Sequence, residues 1–152
     1  NMVFASKQGD IAIRQQGHFP LRWNRQGVYV MPGTDSSYLW QGMIPLTAIP
    51  ASVNPERGFV SSANQRPVDA TYPYYIPGGY DVYRGLEINR KLSQMYNITP
   101  QDMMRLQGDN FNPFAEVVVK LMKKYTDVSK LSASEKKYYE LVANWNLMND
   151  VN

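Results

Sequence analysis

The side chains that most often carry catalysis are scarce in this sequence, which has one histidine and no cysteine among its 152 residues. A serine–histidine–acid triad within the chain therefore requires His18. A zinc site would need carboxylates for nearly all its ligands, and disulfides and thiolate zinc sites are excluded. His18 lies in the loop-like stretch 15–20, where an ordinary loop or packing histidine is the simpler interpretation. Conventional triad or metal hydrolysis within this chain is not expected.

The other polar and aromatic motifs have simple structural interpretations. Pro77-Gly-Gly79 is typical of a turn and lacks the spacing of a phosphate-binding loop. The carboxylates of Asp102 and Asp109 have no glycosidase-like pairing and are typical of helix caps or surface groups. Tyrosines cluster between residues 72 and 83. Packing beside a helix start is the favoured interpretation of that cluster, and an aromatic binding surface is the alternative.

Short β-prone runs dominate the first half of the chain. Any site in this half must be positioned by these runs and by the loops between them. Residues 2–6 and 11–15 flank a Gly-bearing connection and predict a hairpin. Prolines interrupt the segment that follows, where a short strand is predicted at 28–31. Residues 58–64 alternate in character and predict a strand that ends at Asn64, with the Asn64 side chain on one face.

Helical periodicity takes over after about residue 80. Apolar spacing predicts two amphipathic core helices. Their apolar residues are Ile88, Leu92, Met95 and Tyr96 in one, and Phe114, Val117, Val118, Leu121, Met122 and Tyr125 in the other. Capping patterns at Thr99-Pro-Gln-Asp102 and Ser132-Ala-Ser-Glu135 predict two more helix starts, the last helix carrying Tyr138, Leu141, Val142 and Trp145 on one face. Strands first and helices second predict an α+β fold.

Composition excludes several classes of protein. Hydrophobic residues make up 43% and charged residues 19% of the chain, which is typical of a folded globular protein. The net charge is only +3 and the basic residues are mostly scattered, so no nucleic-acid partner is expected. No apolar run approaches the roughly 18 residues of a membrane span, so no membrane partner is expected. The strand-like start and abrupt end predict a piece cut from a longer protein.

A series of short motifs resembles the penicillin acylase family of N-terminal-nucleophile hydrolases. In family order they are Asn1-Met-Val-Phe-Ala-Ser-Lys-Gln-Gly-Asp-Ile11, His18-Phe-Pro-Leu-Arg22, Pro32-Gly-Thr34, Trp40-Gln-Gly-Met-Ile-Pro45, Asn54-Pro-Glu-Arg-Gly58, Phe59-Val-Ser-Ser-Ala-Asn-Gln-Arg-Pro67, Tyr72-Pro73, Tyr83-Arg84 and Gln107-Gly-Asp109. They cover nearly the whole chain, which is identified as an internal fragment of the nucleophile-bearing β subunit. The resemblance implies one fragment, 1–152, of a four-layer αββα sandwich, with a β-rich half over about 1–66 and helices over about 80–150.

The resemblance assigns roles to two residues of this chain. Asn64 matches the family's oxyanion-hole asparagine, whose side-chain amide donates to the charge that develops on a tetrahedral intermediate. Arg84 matches an arginine that positions the nucleophile and the oxyanion asparagine. Without the resemblance, Asn64 would be interpreted as a turn residue and Arg84 as a surface ion-pair partner. The family nucleophile, a serine whose own α-amine acts as base, is expected upstream of Asn1.

These assignments imply an enzyme for the full-length parent and an inactive isolated fragment. The parent would hydrolyse a small-molecule linear amide, and its partners would be the α subunit and the nucleophile-bearing segment of the same precursor. Periplasmic or extracellular localisation is expected from the family alone. No cofactor is expected: some members bind a structural calcium after the Tyr-Pro pair, but here no acid follows until Asp81. The alternative function is a non-catalytic domain that binds peptides or glycans through the tyrosine-rich surface.

Overall fold

Three strands precede four α-helices along the chain in the computed structural model, which describes residues 1–150. The strands are β1 (Met2–Ala5), β2 (Ile11–Arg14) and β3 (Ala51–Val53), and the helices are α1 (Tyr83–Leu92), α2 (Pro100–Gln107), α3 (Pro113–Tyr125) and α4 (Ala133–Ala143). The predicted α+β class is confirmed. The chain divides into two units, Asn1–Gly85 and Leu86–Asn152.

The predicted hairpin is confirmed and forms the base of the first unit. β1 pairs antiparallel with β2 from Met2↔Arg14 to Ala5↔Ile11. The connection turns at Gly9, whose φ of 98° lies in the left-handed region that glycine adopts without a steric penalty. β3 then pairs antiparallel with the other edge of β2, so the sheet order is β1-β2-β3.

The side chain of Asn54 anchors the end of β3 to the hairpin. Its Oδ1 accepts a 2.8 Å hydrogen bond from the backbone N–H of Ile11, and its Nδ2 donates a 2.9 Å bond to Asp10. Asn54 has a φ of 45°, a left-handed conformation that asparagine tolerates better than most residues. The chain therefore leaves the sheet at a defined position and turns towards the segment that carries Asn64.

Two predicted strands are wrong, at 28–31 and at 58–64. Residues 28–31 follow a turn in which Arg25 and Gly27 have φ values of 70° and 87°, and the N–H of Val28 bonds back to the carbonyl of Arg25. The second stretch is bounded by left-handed residues, Gly58 and Asn64. Within residues 1–150 it joins no sheet, since the sheet consists of β1, β2 and β3 alone. Exposure alternates only from Ser61 to Asn64, because Phe59, Val60 and Ser61 are all half-buried.

Local capping explains where the helices begin. Thr99 and Asp102 form a capping box at α2, and Ser132 and Glu135 form one at α4, as predicted. At α3, the Asn112 side chain accepts a 2.9 Å bond from the N–H of Ala115. These caps satisfy backbone donors that have no partner inside the helix.

The buried apolar residues share only Leu92 with the core faces that the sequence predicted. They are Ile44, Ile49, Ala63 and Ile76 in the first unit and Leu92, Ala115 and Val119 in the second. The predicted apolar face of α3 is wrong as a core face, since Phe114 is 52% and Tyr125 is 72% exposed. The predicted face of α4 is exposed as well. Apolar spacing marks a face on a helix, but the face is buried only when another element packs on it.

Short polar contacts hold the second unit together around α1 and α3. Arg90 bonds to Glu116 at 3.0 Å, and Lys91 forms an ion pair with Asp109. The N–H of Asn112 bonds to the carbonyl of Leu147 at 2.8 Å, beside a bridge between Phe111 and Met148. The helices of residues 1–150 include none that is long and apolar enough to cross a membrane.

Candidate functional site

A cleft of about 500 Å³ lies in the first unit, at the end of the segment that carries Asn64. Strands β2 and β3 contribute Ile13 and Ser52 to its lining, and the segment 61–68 contributes Ser61, Ser62 and Asn64. This volume falls within the range of natural ligand pockets, which is roughly 300–1,000 Å³. The cleft is therefore the candidate site in this unit, and the sheet supplies its rigid wall.

The charged side chains that line the cleft are basic. Arg57 and Arg66 belong to the lining, and none of the lining residues is acidic. Arg57 is held in place because its Nε donates a 2.9 Å bond to the carbonyl of Phe59 and its guanidinium lies 4.6 Å from the centre of the Phe59 ring. A positive lining favours anions and any negative charge that develops during a reaction.

Asn64 occupies a backbone conformation that few residues accept. Its φ is 55°, in the left-handed region, where a non-glycine residue is disfavoured and asparagine is among the best tolerated. Its side chain is exposed at the cleft. The turn therefore directs the Asn64 amide towards solvent in the cleft.

Arg84 makes the contact that orients this amide. Its Nη2 donates a 2.6 Å hydrogen bond to Oδ1 of Asn64, across 20 residues of sequence. Because a guanidinium has donors and no acceptor, the amide group of Asn64 must turn its oxygen to Arg84. The two N–H groups on Nδ2 are then left for other acceptors. Such a fixed donor is chemically suited to stabilise an oxyanion.

The position of Arg84 in the first turn of α1 indicates that its charge has a specific partner, which is Asn64. Arg84 is the second residue of α1, where a positive charge opposes the helix dipole. Asp81 caps the start of this helix, its Oδ1 accepting a 2.9 Å bond from the N–H of Tyr83. The structure thus brings together the two residues that the sequence resemblance singled out.

Two other lining residues, Asn1 and Ser62, were not predicted as site residues. The side-chain amide of Asn1 bonds to the hydroxyl of Ser62, and both residues line the cleft. Ser62 lies two positions before Asn64, so a signal was available in the sequence. For Asn1 no local signal exists, because only the fold brings β1 beside residue 62.

The tyrosine cluster is used for packing. Tyr72 donates a 2.9 Å bond to the carbonyl of Ala48 and meets Tyr74 edge-on at 5.6 Å between ring centres. Burial, with a smaller effect of Tyr74, raises the pKa of Tyr72. Tyr80 donates to the carbonyl of Pro77 at 2.9 Å. Hydroxyls committed to backbone carbonyls agree with the favoured packing interpretation of this cluster.

The remaining candidates lie outside the cleft lining. His18 is exposed in its loop. Hydrogen bonds from the side chain and then the backbone of Thr99, together with Arg105, lower the pKa of Asp102 to about 2. Asp109 accepts a 2.9 Å bond from the N–H of Phe111 and pairs with Lys91. Both acids therefore serve as caps or ion-pair partners. In the part of the chain that the structure describes, no group of three or more histidine or acidic side chains is placed to hold a metal ion.

The curated proteins to which this chain is similar include acylases. The chain is 29% identical over 118 residues to acyl-homoserine lactone acylase QuiP of Pseudomonas syringae pv. tomato, covering 76% of the chain and 14% of the relative. It is 26% identical over 114 residues to the penicillin acylase 2 proenzyme of Pseudomonas sp. strain SE83, covering 74% of the chain and 15% of the relative. The chain thus spans about a seventh of the length of these curated relatives.

A solved structure supports the same fold. The thermostable penicillin G acylase from Alcaligenes faecalis superposes with a TM-score of 0.68 over 99% of this chain and 28% of that chain, at 22% identity. The predicted assignment to a fragment of the N-terminal-nucleophile fold is confirmed. The family model described as penicillin amidase matches residues 1–152. The chain therefore belongs to the penicillin amidase family.

Proposed function

We propose that the parent protein of this chain hydrolyses a linear amide, with Asn64 as an oxyanion donor and Arg84 as the residue that orients it. The observation that carries the proposal is the 2.6 Å bond from Arg84 to Oδ1 of Asn64 at the cleft. Family membership and the names of the relatives, acyl-homoserine lactone acylase and penicillin acylase, support a hydrolase of the acylase type.

The proposed reaction begins with attack of a serine hydroxyl on the amide carbonyl carbon. The serine stands at the start of the nucleophile-bearing segment of the parent, and its own α-amine takes the proton, as the family resemblance implies. The carbonyl oxygen becomes an oxyanion and accepts a hydrogen bond from Nδ2 of Asn64. Collapse expels the amine with a proton and leaves an acyl-serine ester. Water then attacks the ester and releases the acid and the free serine.

The rest of the precursor completes the site in this proposal. The α subunit and the nucleophile-bearing segment supply the serine and the acyl pocket, and this chain supplies one donor and its orienting arginine. The isolated chain 1–152 is therefore inactive. The proposed location of the parent is periplasmic or extracellular.

A binding or scaffolding role for the tyrosine-rich surface is not favoured. Tyr72 and Tyr80 direct their hydroxyls to carbonyls of their own unit, at Ala48 and Pro77. These two hydroxyls are therefore engaged within the unit and less available to a peptide or glycan ligand. These two tyrosines line the same cleft as Asn64, whose amide is the oriented donor at its surface.

The test measures hydrolysis of phenylacetyl and acyl-chain anilides by the full-length parent and its variants. Asn64→Ala and Asn64→Gly both remove the donor, and we expect kcat to fall about a hundredfold to a thousandfold in each. Asn64→Gly also removes the left-handed strain, so it separates loss of the donor from damage to the backbone. Asn97→Ala is the matched control, because Asn97 also has a left-handed φ, 51°, and does not line the cleft.

Each outcome bears on a separate part of the proposal. Large losses in both Asn64 variants, with Asn97→Ala near the parent rate, support the oxyanion role. An active parent that tolerates Asn64→Gly rules that role out while leaving the acylase reaction intact. A parent that cleaves itself but hydrolyses no amide in the panel contradicts the proposed substrate class.

A further inference from the structure

Gly85, the third residue of α1, is an unexpected residue at this position in a helix. It follows Arg84 directly, lies inside the helix Tyr83–Leu92 and is buried. Glycine within a helix is less favourable than alanine by about 1 kcal/mol. Its φ is not in the left-handed region, since the positive-φ glycines of residues 1–150 are found elsewhere. Conformation therefore does not require glycine here, and packing has to supply the reason.

The side chain of Gln65 occupies the space that a larger residue at position 85 would need. A Cβ atom added to Gly85 would lie 2.5 Å from Oε1 of Gln65, 3.4 Å from its Cδ and 3.5 Å from its Cβ. The first of these distances is far below van der Waals contact. Gln65 therefore lies directly against the backbone of Gly85.

This packing is costly by itself. Oε1 of Gln65 is buried and accepts no hydrogen bond from the described residues. A buried acceptor without a partner typically destabilises a protein by about 1–3 kcal/mol. A close contact that combines a helical glycine with an unpaired amide oxygen is poorly explained by stability alone. The neighbours of the two contacting residues indicate a role in the site, because Gln65 follows Asn64 and Gly85 follows Arg84.

We propose that Gly85 is a positioning residue: its missing side chain admits Gln65 against α1 and so brings Arg84 within hydrogen-bond reach of Asn64. The two dipeptides, 64–65 and 84–85, approach as a pair. The side chain of Gln65 lies against Gly85, and the neighbouring residues Arg84 and Asn64 are joined by the 2.6 Å hydrogen bond. A methyl group at position 85 has to displace either the buried Gln65 amide or the first turn of α1. A shift of the first turn of α1 moves Arg84, and a shift of the Gln65 backbone moves Asn64, which directly precedes it. The consequence for catalysis rests on the proposed function, whereas the geometric consequence does not.

The test uses the full-length parent with Gly85→Ala, Gln65→Ala and the double variant. For Gly85→Ala we expect kcat on the best anilide substrate to fall about tenfold to a hundredfold with a smaller change in KM, because misplacement by about 1 Å costs rates of that order. The double variant removes the collision, so its kcat should return to that of Gln65→Ala alone. Gly33→Ala is the control, since nothing lies within 4 Å of an added Cβ there.

A second measurement does not depend on activity. A crystal structure of Gly85→Ala in the parent should show the bond between Nη2 of Arg84 and Oδ1 of Asn64 lengthened beyond hydrogen-bond distance, and the double variant should restore it. An unchanged bond overturns the inference, as does a loss of kcat that Gln65→Ala fails to relieve. If the parent hydrolyses no amide, the proposed function fails and the crystallographic result alone decides the role of Gly85.

Discussion

At the scale of single residues, the candidate site depends on an asparagine whose backbone and side chain are both specified. The left-handed φ of 55° at Asn64 turns the chain at the cleft, and Arg84 fixes the amide with its oxygen inward. Asparagine suits both demands, because it tolerates this conformation and carries a donor that is never charged. The turn-residue interpretation and the oxyanion interpretation of Asn64 are therefore compatible.

Replacement of Arg84 tests the orienting bond. Arg84→Met removes the donor and leaves the Asn64 amide free to rotate, so we expect kcat/KM of the parent to fall about tenfold to a hundredfold, the equivalent of one charge-assisted hydrogen bond. Arg84→Lys keeps the charge but not the planar fork, and we expect an intermediate loss. Anilide kinetics provide the measurement, with Arg105→Met as the control on a surface arginine of α2. Full activity in Arg84→Met would contradict an orienting role.

At the scale of elements, short caps determine where helices begin and thus where side chains are presented. Asp81 caps α1 just before Arg84, and Thr99 with Asp102 caps α2 reciprocally. In each case the residues involved lie within a few positions of one another. Such helix starts can be predicted from the sequence because their capping hydrogen bonds form between residues that are close along the chain.

The capping box at α2 has a measurable pH dependence. The bonds from Thr99, with Arg105, hold the pKa of Asp102 at about 2, below its ordinary 3.8. A lowered carboxyl pKa contributes stability that is present above the ordinary value and is lost as the pH falls through the lowered one. In Thr99→Ala we expect the pKa of Asp102 to rise towards 3.8, as measured by NMR titration of the aspartate carboxyl carbons. Thr47→Ala, which lies outside any capping box, should leave the Asp102 titration unchanged; an unmoved Asp102 pKa in Thr99→Ala would contradict the assignment.

At the scale of the whole molecule, the chain buries few of its large apolar side chains. None of its large side chains in residues 1–150 is less than 2% exposed. Phe4 is 55% and Leu141 is 62% exposed, and the apolar stripe of α3 is open to solvent as well. The chain covers about a seventh of its curated relatives in length. Exposed apolar surface of this extent is uncommon in a protein that functions by itself.

This exposure predicts different behaviour for the chain alone and for the parent. We expect chain 1–152, expressed separately, to bind the apolar dye ANS strongly and to self-associate, because both the α3 and α4 faces are available. The purified parent should bind little dye at the same molar concentration. Phe114→Gln with Leu121→Gln should reduce dye binding by the chain alone, whereas Lys136→Gln should not. Equal dye binding by chain and parent would show that these faces remain open in the longer protein.

Most local features of this protein could be predicted from the sequence. The predictions of strands at 28–31 and 58–64 and of buried faces on α3 and α4 were wrong. The hairpin from Met2 to Arg14 was found because alternation and a glycine turn act over neighbouring residues. The strand predicted at 58–64 is wrong: left-handed turns at Gly58 and Asn64 bound this stretch, and it pairs with none of the three strands. The site residues Asn64 and Arg84 were identified through the family resemblance, since neither has a chemical signature of its own.

The sequence by itself determined the hairpin turn, the starts of α2 and α4 and the family, because turn geometry, capping and motif order are all encoded over short stretches. Tertiary structure alone decided three other features. It decided that residue 84 reaches residue 64, that Gln65 fills the space beside Gly85, and which sides of α3 are buried. The physical reason is the same for all three. Each is a contact between residues distant along the chain, and its energy depends on where the intervening segments place the partner.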